Sequence, residues 1–424
     1  MRNLLSIWLA KALSWGLRQT GRHGAALPGL IVEKTYPGFL HAMLVKLPEG
    51  LIIVSGTNGK TTTTKILTEL LRAQGKRVLT NRHGGNFVRG IIASLAQAAT
   101  WGGRLDYDLA VVELDEAWAV RLAKQHRPRA VLLLNVTRDQ LDRFGEIDTT
   151  AKLLQKVVDK TTDLVVLNDD DNRLCKMKLP AGARAVYFGV AAKLQAEFPS
   201  DEQFYGAAKR TTPWHARVVE LEAVAGERAT YKIGGETHKI GLQLDGQHNA
   251  LNAAAALSTL LALYPDADPA ELLTDLGQIK AAFGRGELID LDGRKIILQL
   301  VKNPASFRQA LRVLDIHRPS AVAVVINDDY ADGRDVSWLW DVDFKPLEQL
   351  KKPILTGGTR AYDMANRLKY DEVPAAEPSP PLKDVVEQLV AAISPGHSGI
   401  IFTTYTAMWP LRRLLAKRTK VERV

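Results

Sequence analysis

Short apolar runs alternate with stretches of helical spacing along the chain after residue 50. Such a run buries both faces of a strand, whereas each helical stretch between them carries one apolar face. Five runs predict strands, at 51–56, 77–81, 108–114, 130–135 and 163–168. Buried strands separated by helices are typical of a parallel sheet with helices on both faces. This region is therefore predicted to be an α/β domain.

The pattern changes on either side of this region. Residues 191–245 alternate in hydrophobicity and are more polar, which predicts a small antiparallel elaboration. A second alternation of strands and helices begins near residue 291. We therefore predict an N-terminal helical segment (1–45), a central domain (46–290) that includes the elaboration, and a smaller Rossmann-like α/β domain (291–424).

The first residues predict one amphipathic helix. Its apolar positions recur near one face, at Leu4, Leu5, Trp8, Leu9, Leu13 and Leu17. Lys11 and Arg18 interrupt this apolar stretch, which is then too short to span a bilayer and lacks the form of a signal peptide. We expect the apolar face to pack on the protein rather than lie on a membrane.

The charge distribution separates two classes of partner. The 424 residues carry a formal net charge of +9, with 46% hydrophobic and 24% charged residues, which is ordinary for a globular protein. Four basic residues and no acid precede Glu33, and six basic residues with one acid lie from Leu411 onward. A nucleic-acid binder more often has a folded basic face, so no nucleic-acid partner is predicted. Basic ends favour either an anionic surface or solubility alone.

The most specific pattern lies between the first strand and the helix that follows it. Its residues are Gly56, Thr57, Asn58, Gly59, Lys60, Thr61 and Thr62. Glycines let backbone N–H groups turn toward an anion, and the helix N-terminus adds partial positive charge. A lysine here reaches terminal phosphates, and the following hydroxyl can ligate Mg²⁺. Val54 stands where the general phosphate-loop pattern has its first glycine, so the loop is a variant.

Five stretches in this order resemble motifs of the Mur ligase family, ATP-dependent enzymes that form amide bonds in peptidoglycan precursors, and of their folylpolyglutamate relatives. They are GTNGKTTTT (56–64), VVELDE (111–116), NVTRDQLDRFGEID (135–148), GQHNALNAAAAL (246–257) and GRGE (284–287). The resemblance implies a Mur-ligase-type phosphate-loop domain with a parallel sheet, followed by the smaller α/β domain.

The resemblance also implies a set of site residues that bind ATP and Mg²⁺. Asn249 would open the helix beside the adenine. Lys60 and Arg285 would stabilise charge on the transferring phosphoryl group, while Thr61 and Glu113 would hold the metal. From the local sequence alone, the acids at 113–116 also suit a solvated helix start, Asn249 suits a helix cap, and Arg285 suits the surface.

The C-terminal third resembles the MurT branch of this family. The most specific stretches are LVKNPASF (300–307), ADGRDVSWLWD (331–341) and TTYTAMWPL (403–411). This branch amidates the D-glutamate α-carboxylate of the lipid II stem peptide to D-isoglutamine, through an acyl phosphate and ammonia. The phosphate loop begins at residue 56, so no UDP-binding domain of a full Mur ligase is expected before it.

The same resemblance implies a heterodimer with a GatD-type glutaminase that supplies the ammonia. Asp335 would complete the catalytic triad of that partner. Locally, Asp335 also fits a helix cap or a pair with Arg334, and other aspartates of the loop compete for the role. The substrate, lipid II, lies at the inner membrane leaflet. The predicted location is therefore cytoplasmic, and the basic ends are the candidates for peripheral contact with the inner face of the membrane.

The sequence leaves alternatives open for the metal content and for the function. Many MurT proteins carry a four-cysteine zinc ribbon, but Cys175 is the single cysteine here, so no zinc is predicted. Gln140 stands where the family has histidine, which leaves a second magnesium ion open. A stand-alone amino-acid-adding ligase of the Mur or folylpolyglutamate type is the alternative enzyme. A nucleotide-gated scaffold that binds a partner through Trp338 and Trp340 is the non-enzymatic alternative.

Overall fold

The structure is a computed structural model. It describes residues 2–19, 26–81, 87–138, 147–198, 212–244, 246–280 and 285–419. The helices are α1 (Arg2–Gln19), α2 (Ala26–Thr35), α3 (Phe39–Leu44), α4 (Lys60–Ala73), α5 (Val88–Ala98), α6 (Glu116–Gln125), α7 (Ile147–Val158), α8 (Asn172–Cys175), α9 (Gln247–Leu263), α10 (Pro269–Leu276), α11 (Pro304–Leu311), α12 (Val313–His317), α13 (Ala361–Tyr370), α14 (Leu382–Ala392) and α15 (Tyr405–Ala416).

The strands form two sheets. They are β1 (Leu51–Ser55), β2 (Val78–Thr80), β3 (Leu109–Glu113), β4 (Ala130–Leu133), β5 (Leu164–Asn168), β6 (Arg184–Val190), β7 (Arg217–Ala225), β8 (Arg228–Ile233), β9 (Glu236–Gly241), β10 (Arg285–Leu291), β11 (Arg294–Leu300), β12 (Ala321–Val325), β13 (Leu355–Gly357) and β14 (Ser398–Thr403). The chain divides into two compact units, and each sheet belongs to one of them.

The first unit contains a nine-stranded sheet in the order β2-β3-β1-β4-β5-β6-β7-β8-β9. Neighbouring strands are parallel from β2 to β7, and β8 and β9 continue the sheet as an antiparallel extension. Every residue of β1, β3, β4 and β5 is buried, as their uninterrupted apolar sequences predict. Because β1 lies between β3 and β4, the turns after these three strands meet at one edge of the sheet.

The second unit contains a five-stranded sheet in the order β10-β11-β14-β12-β13. Only the β10–β11 pair is antiparallel. Its core is aromatic, because the Phe307 ring lies 5.0 Å from that of Phe344 and 5.3 Å from that of Phe402. Trp338 joins this core with 7% exposure, whereas Trp340 is 50% exposed. The prediction of two α/β parts built on largely parallel sheets is confirmed.

The N-terminal helices pack closely on the first sheet's helical layer. A Cβ atom on Gly29 of α2 would lie 1.9 Å from the carbonyl oxygen of Arg89 in α5, so only glycine permits this approach of two backbones. Glu33 of α2 accepts hydrogen bonds from Arg89 Nε at 2.9 Å and from Arg121 Nη2 at 2.5 Å. These contacts attach α2 to both α5 and α6.

The orientation of α1 contradicts one prediction. The apolar face was expected to pack on the protein, but Leu5, Trp8 and Leu9 are exposed. The buried side of α1 instead carries Ser6, Ile7 and Ala10, while the predicted positions Leu4, Leu13 and Leu17 are half-buried. The small side chains of Ser6 and Ala10 allow α1 to approach its neighbouring helices closely on this side. Within the described ranges, no helix has both the length and the apolarity needed to cross a bilayer.

Candidate nucleotide site

The turn between β1 and α4 has a backbone that glycine alone accommodates. Gly56 and Gly59 have φ angles of +122° and +90°. A Cβ atom on Gly56 would lie 2.9 Å from the carbonyl oxygen of Asn135, and one on Gly59 would lie 2.4 Å from Asn252 Oδ1. Val54 is a fully buried residue within β1, so the departure from the general pattern lies in the strand and outside the turn.

Asn135 braces this turn from the end of the neighbouring strand. Its Nδ2 donates to the Asn58 carbonyl oxygen at 3.0 Å, and its Oδ1 accepts from the Asn58 backbone N–H at 2.8 Å. The Thr57 N–H donates to the Asn135 carbonyl oxygen at 3.0 Å. Asn135 opens the predicted motif 135–148, but no role was predicted for this residue. Its place directly after β4, beside β1, was the available signal.

Lys60 is the first residue of α4, and its ammonium group is held within the turn. Nζ donates to the Gly56 carbonyl oxygen at 2.7 Å and lies 3.1 Å from Asp115 Oδ1. The residue is only 6% exposed, so its charge is compensated by these oxygens rather than by water. A buried ammonium beside a glycine turn and a helix N-terminus is a strong local source of positive charge for a phosphate.

A hydroxyl and a carboxylate lie side by side next to this lysine. Thr61 Oγ1 donates to Glu113 Oε1 at 3.2 Å, and Glu113 is 5% exposed at the end of β3. Asn81 fixes the Glu113 backbone through reciprocal hydrogen bonds of 3.0 Å to its N–H and carbonyl groups. Hard oxygen donors on neighbouring elements suit Mg²⁺, which takes one or two protein ligands and keeps phosphate oxygens and water. Thr61 and Glu113 therefore fit the predicted metal role.

The first turn of α4 also carries a hydroxyl suited to an anion. Thr62 is 1% exposed, and its Oγ1 has no hydrogen-bond partner among the described residues. A buried hydroxyl without a partner costs free energy. A phosphate oxygen would satisfy it. The donor set of the turn thus fits a nucleotide phosphate.

The start of α9 lies against the same turn. Asn252 Nδ2 donates to Asn249 Oδ1 at 3.1 Å, and Asn252 Oδ1 occupies the space that a side chain at Gly59 would need. Asn249 is 1% exposed. The predicted residue Asn249 therefore lies behind Asn252, and Asn252 contacts the turn at Gly59.

Two other residues of the predicted site have no described side chain. Arg285 is the first residue of β10 in the second unit, where its backbone pairs with Gln299, but its side chain lies outside the described residues. Gln140 also lies outside them.

A buried aspartate connects the segments that follow β4 and β5. Asp171 Oδ2 accepts from the Val136 N–H at 2.7 Å, and Oδ1 caps α8 by accepting from Arg173 and Leu174. Burial raises the pKa of Asp171 to about 6, against the opposing effect of these backbone hydrogen bonds. The carboxyl group links the segment after β4 to the segment after β5.

One compact group of potential metal ligands occurs in the described part of the chain, at Asp169, Cys175 and His215. Its ligand atoms lie within 4.8 Å of one another. The Asp169 carboxylate is already engaged, since Oδ1 lies 2.8 Å from His215 Nδ1 and Oδ2 accepts from Arg217 Nε at 3.1 Å. This network attaches residues 215–217 to the end of β5, and the expectation of no zinc stays a prediction.

The aspartate-rich loop after β12 is built within the second unit. Asp332 is 4% exposed and anchors the loop to α15, because it accepts from both the N–H and the hydroxyl of Thr406. Asp341 Oδ2 lies 3.4 Å from Arg138 Nη1, and Asp343 accepts from the Lys345 N–H. Each of these competing aspartates therefore has a structural contact within the second unit.

Asp335 is half-buried in the same loop. Its Oδ1 accepts from the Ser337 N–H at 2.8 Å, at the start of the 3₁₀ turn Ser337–Asp341. The cap position of this turn is Val336 and has no side-chain cap, so the helix-cap alternative is not what the structure shows. The Asp335 hydrogen bond instead closes the backbone one residue earlier. It occupies one oxygen of the carboxylate and fixes the side chain at the surface of the loop.

Family models match both parts of the chain. The Mur ligase middle domain matches residues 54–260, and the MurT ligase C-terminal domain matches residues 300–408. The MurT subunit of lipid II isoglutaminyl synthase (glutamine-hydrolyzing) from Streptococcus pneumoniae is 29% identical, over 100% of this chain and 99% of its own. The protein of the same name from Staphylococcus aureus (strain COL) is 30% identical, over 88% of this chain and 89% of its own.

Solved structures share the fold. MurF from Acinetobacter baumannii has a TM-score of 0.69 at 18% identity, with 91% of this chain and 81% of that chain covered. MurF ligase from Thermotoga maritima in complex with ADP has a TM-score of 0.68 at 17% identity, with 92% and 85% covered. The Mur-ligase-type fold prediction is confirmed. Because sequence similarity extends through both units, this chain belongs to the MurT family of Mur ligases.

Proposed function

We propose that this chain is the synthetase subunit that amidates the D-glutamate α-carboxylate of the lipid II stem peptide, with ATP and ammonia as co-substrates. The observation that carries the proposal is the buried cluster of Lys60, Thr61 and Glu113 on a glycine turn, a phosphate site in a chain whose relatives are named lipid II isoglutaminyl synthase subunits. The chemistry makes a carbon–nitrogen bond in peptidoglycan biosynthesis.

The proposed reaction has two steps. A substrate carboxylate oxygen attacks the γ-phosphorus of ATP, the bond to ADP breaks, and an acyl phosphate forms. Ammonia then attacks the acyl carbon and displaces inorganic phosphate, with loss of a proton, to leave the carboxamide. Lys60 would stabilise charge on the transferred phosphoryl group, and we propose the same role for Arg285. Mg²⁺ held by Thr61 and Glu113 would neutralise phosphate charge.

A second subunit would supply the ammonia, since free ammonia is scarce at neutral pH. The relatives are named subunits of a glutamine-hydrolyzing enzyme, which supports a glutaminase of the GatD type as that partner. The second unit offers a surface for it, because Trp340 and Tyr370 are 50% and 69% exposed and their rings meet edge to face. Asp335, in the same loop as Trp340, would orient the histidine of the partner's catalytic triad.

The proposed setting follows from the substrate. Lipid II is held in a membrane, so we place the chain in the cytoplasm with its reaction at the inner membrane surface. A stand-alone ligase that adds an amino acid is the second candidate. The same phosphate site would serve it, and the two functions differ in the nucleophile that attacks the acyl phosphate.

The test is to purify the chain with a GatD-type glutaminase and to incubate the complex with ATP, lipid II and glutamine labelled with ¹⁵N in its side-chain amide. We expect mass spectrometry to show ¹⁵N-labelled isoglutamine, which depends on both ATP and glutamine. A folded complex that yields no amide product would refute the proposal. A product that instead contains an added amino acid, formed without the glutaminase, would establish the second candidate.

A further inference from the structure

The outward face of α1 is apolar along its length. Five large side chains form what we call the α1 patch, with exposed fractions of 60% for Leu5, 45% for Trp8, 38% for Leu9, 67% for Trp15 and 66% for Trp101. The four helical members follow one another at intervals of three, one and six residues, so they share one side of the helix. A group of exposed tryptophan and leucine side chains is typical of a surface that binds a protein or a membrane.

The α1 patch is part of the folded domain. The opposite side of α1 buries Ile7 and Ala10, and Trp8 Nε1 donates to the Trp101 carbonyl oxygen at 3.0 Å. Lys11 Nζ donates to the Gln97 carbonyl oxygen at 2.9 Å and lies 5.4 Å from the Trp101 ring centroid. The helix therefore presents its apolar face while its other face stays packed.

The charged residues of α1 itself are all positive. Arg2 is exposed at the start of α1, and Lys11 lies beside the Trp101 ring. No acidic residue precedes Glu33, and that carboxylate is engaged by Arg89 and by Arg121. The nearest acid after Trp101 in sequence is Asp106, which pairs with Arg104 at 2.8 Å. The first turns of the chain thus present cations without an accompanying free carboxylate.

We propose that the α1 patch docks on an anionic lipid bilayer. Tryptophan side chains favour the boundary between headgroups and acyl chains, and leucine side chains reach the apolar layer below it. Basic residues beside them add attraction to anionic headgroups. A helix with this composition lies in the plane of a membrane surface. The inference rests on the proposed function in one respect, that a lipid-linked substrate gives the docking a purpose.

The charge pattern favours a bilayer over a protein partner. A protein that covered Trp15 and Trp101 would need carboxylates at fixed positions to pair with Arg2 and Lys11. A layer of anionic headgroups needs no such fixed positions, because it offers negative charge over its whole surface. A second copy of this chain would bring the same cations together, which is unfavourable. These two occupants are therefore outcomes that the test must separate from lipid.

The test is flotation of the full chain with vesicles of phosphatidylcholine alone and of an equal mixture of phosphatidylcholine and phosphatidylglycerol, without nucleotide or lipid II. The variant Leu5→Ser/Trp15→Ser removes two outward residues of the patch. Its matched control is Leu179→Ser/Leu288→Ser, which removes two residues that are 42% and 55% exposed elsewhere. ATP affinity, measured by calorimetry, verifies that each variant retains its nucleotide site.

We expect the wild type and the control to float with the mixed vesicles, and the patch variant to bind at least about tenfold more weakly. Wild-type binding to the mixed vesicles should exceed binding to phosphatidylcholine alone and should weaken in high salt. Equal binding by the patch variant, or no flotation of the wild type, overturns the proposal. Self-association in sedimentation velocity that the patch variant abolishes, without flotation, assigns the surface to a second copy and also overturns it. Because no substrate is present, none of these outcomes tests the amidation reaction.

Discussion

The turn after β1 and the loop after β12 both follow a buried parallel strand, but they are built in different ways. The first uses four residues, two of them glycines with positive φ, and leads directly into α4. The second runs through residues 326–344 and contains short turns and the buried Trp338. The first encloses buried polar groups, whereas the second displays Asp335 and Trp340. A short glycine turn suits phosphate chemistry, and a long loop suits contact with another molecule.

The sharpest test of the first region is Lys60→Ala. Removing the ammonium should lower ATP-dependent amidation by about 100-fold to 1,000-fold, as for loss of one group that stabilises developing charge. The measurement is the initial rate of the glutaminase complex with saturating ATP. Lys124→Ala, an exposed lysine on α6, is the control and should retain full activity. Partner binding should survive in both variants, and an active Lys60→Ala enzyme would remove this turn from the reaction.

The corresponding test of the second region is Asp335→Asn. If this carboxylate orients the partner's histidine, glutamine-dependent amidation should fall by about 100-fold or more. Amidation with added ammonium chloride should stay near the wild-type rate, since that route bypasses the partner's chemistry. Asp343→Asn provides a matched aspartate of the same loop, which also accepts a backbone hydrogen bond. An equal loss with glutamine and with ammonium chloride would contradict the assigned role.

Gly59→Ala tests whether the turn depends on its close approach to α9. The substitution places a methyl group 2.4 Å from Asn252 Oδ1 at a φ of +90°, so ATP affinity should fall about tenfold. Gly75→Ala is an exacting control, because its φ of +78° imposes similar strain with no atom within 4 Å. Calorimetric titration with ATP gives both affinities. Similar losses in the two variants would show that general strain, rather than contact with Asn252, is responsible.

The smallest expected effect concerns the pH dependence of stability. Asp171 has a pKa raised by burial to about 6, above its ordinary value of 3.8, so its contribution is full at low pH. That contribution to the free energy of unfolding should be lost as the pH rises from about 4 to about 6, at about 1.4 kcal/mol per pH unit and about 3 kcal/mol in total. Urea unfolding of the wild type and of Asp171→Asn from pH 4 to 8 measures it.

Asp268→Asn is the control for that series, because Asp268 also caps a helix by accepting a backbone hydrogen bond, at 3.0 Å from the Ala270 N–H. We expect the difference between wild type and Asp171→Asn to shrink between about pH 4 and pH 6 and to be constant above pH 7. A difference that is independent of pH would show that Asp171 remains ionised in the folded protein.

The sheets and the phosphate turn could be predicted because local sequence dictates them. Residues 51–54 are all apolar, so they form a strand that is buried on both faces. The turn could be recognised because Gly56 and Gly59 adopt positive φ angles at which a side chain would be strained. Both arguments use residues that are adjacent along the chain.

The remaining parts depend on contacts between distant residues. Asn135 braces Asn58 across 77 positions, and His215 lies beside Asp169 across 46 positions, so neither contact has a local signature. The face of α1 was predicted wrongly for a related reason. Periodicity shows that Leu5 and Trp8 share a side of the helix, but only packing against α2 and α5 decides whether that side turns inward.

The close packing of α2 on α5, which glycine at position 29 permits, has a consequence for how the enzyme would meet its substrate. Because the α2 and α5 backbones lie in contact there, the N-terminal helices and the main sheet form one block, with α1 at a set distance from the phosphate turn. An α1 resting on lipid would hold the reaction centre at a constant height above the headgroups. The length of the sugar and diphosphate between the lipid tail and the stem peptide would then determine whether the peptide reaches the catalytic groups. A glycopeptide tethered too close to the bilayer would not reach them.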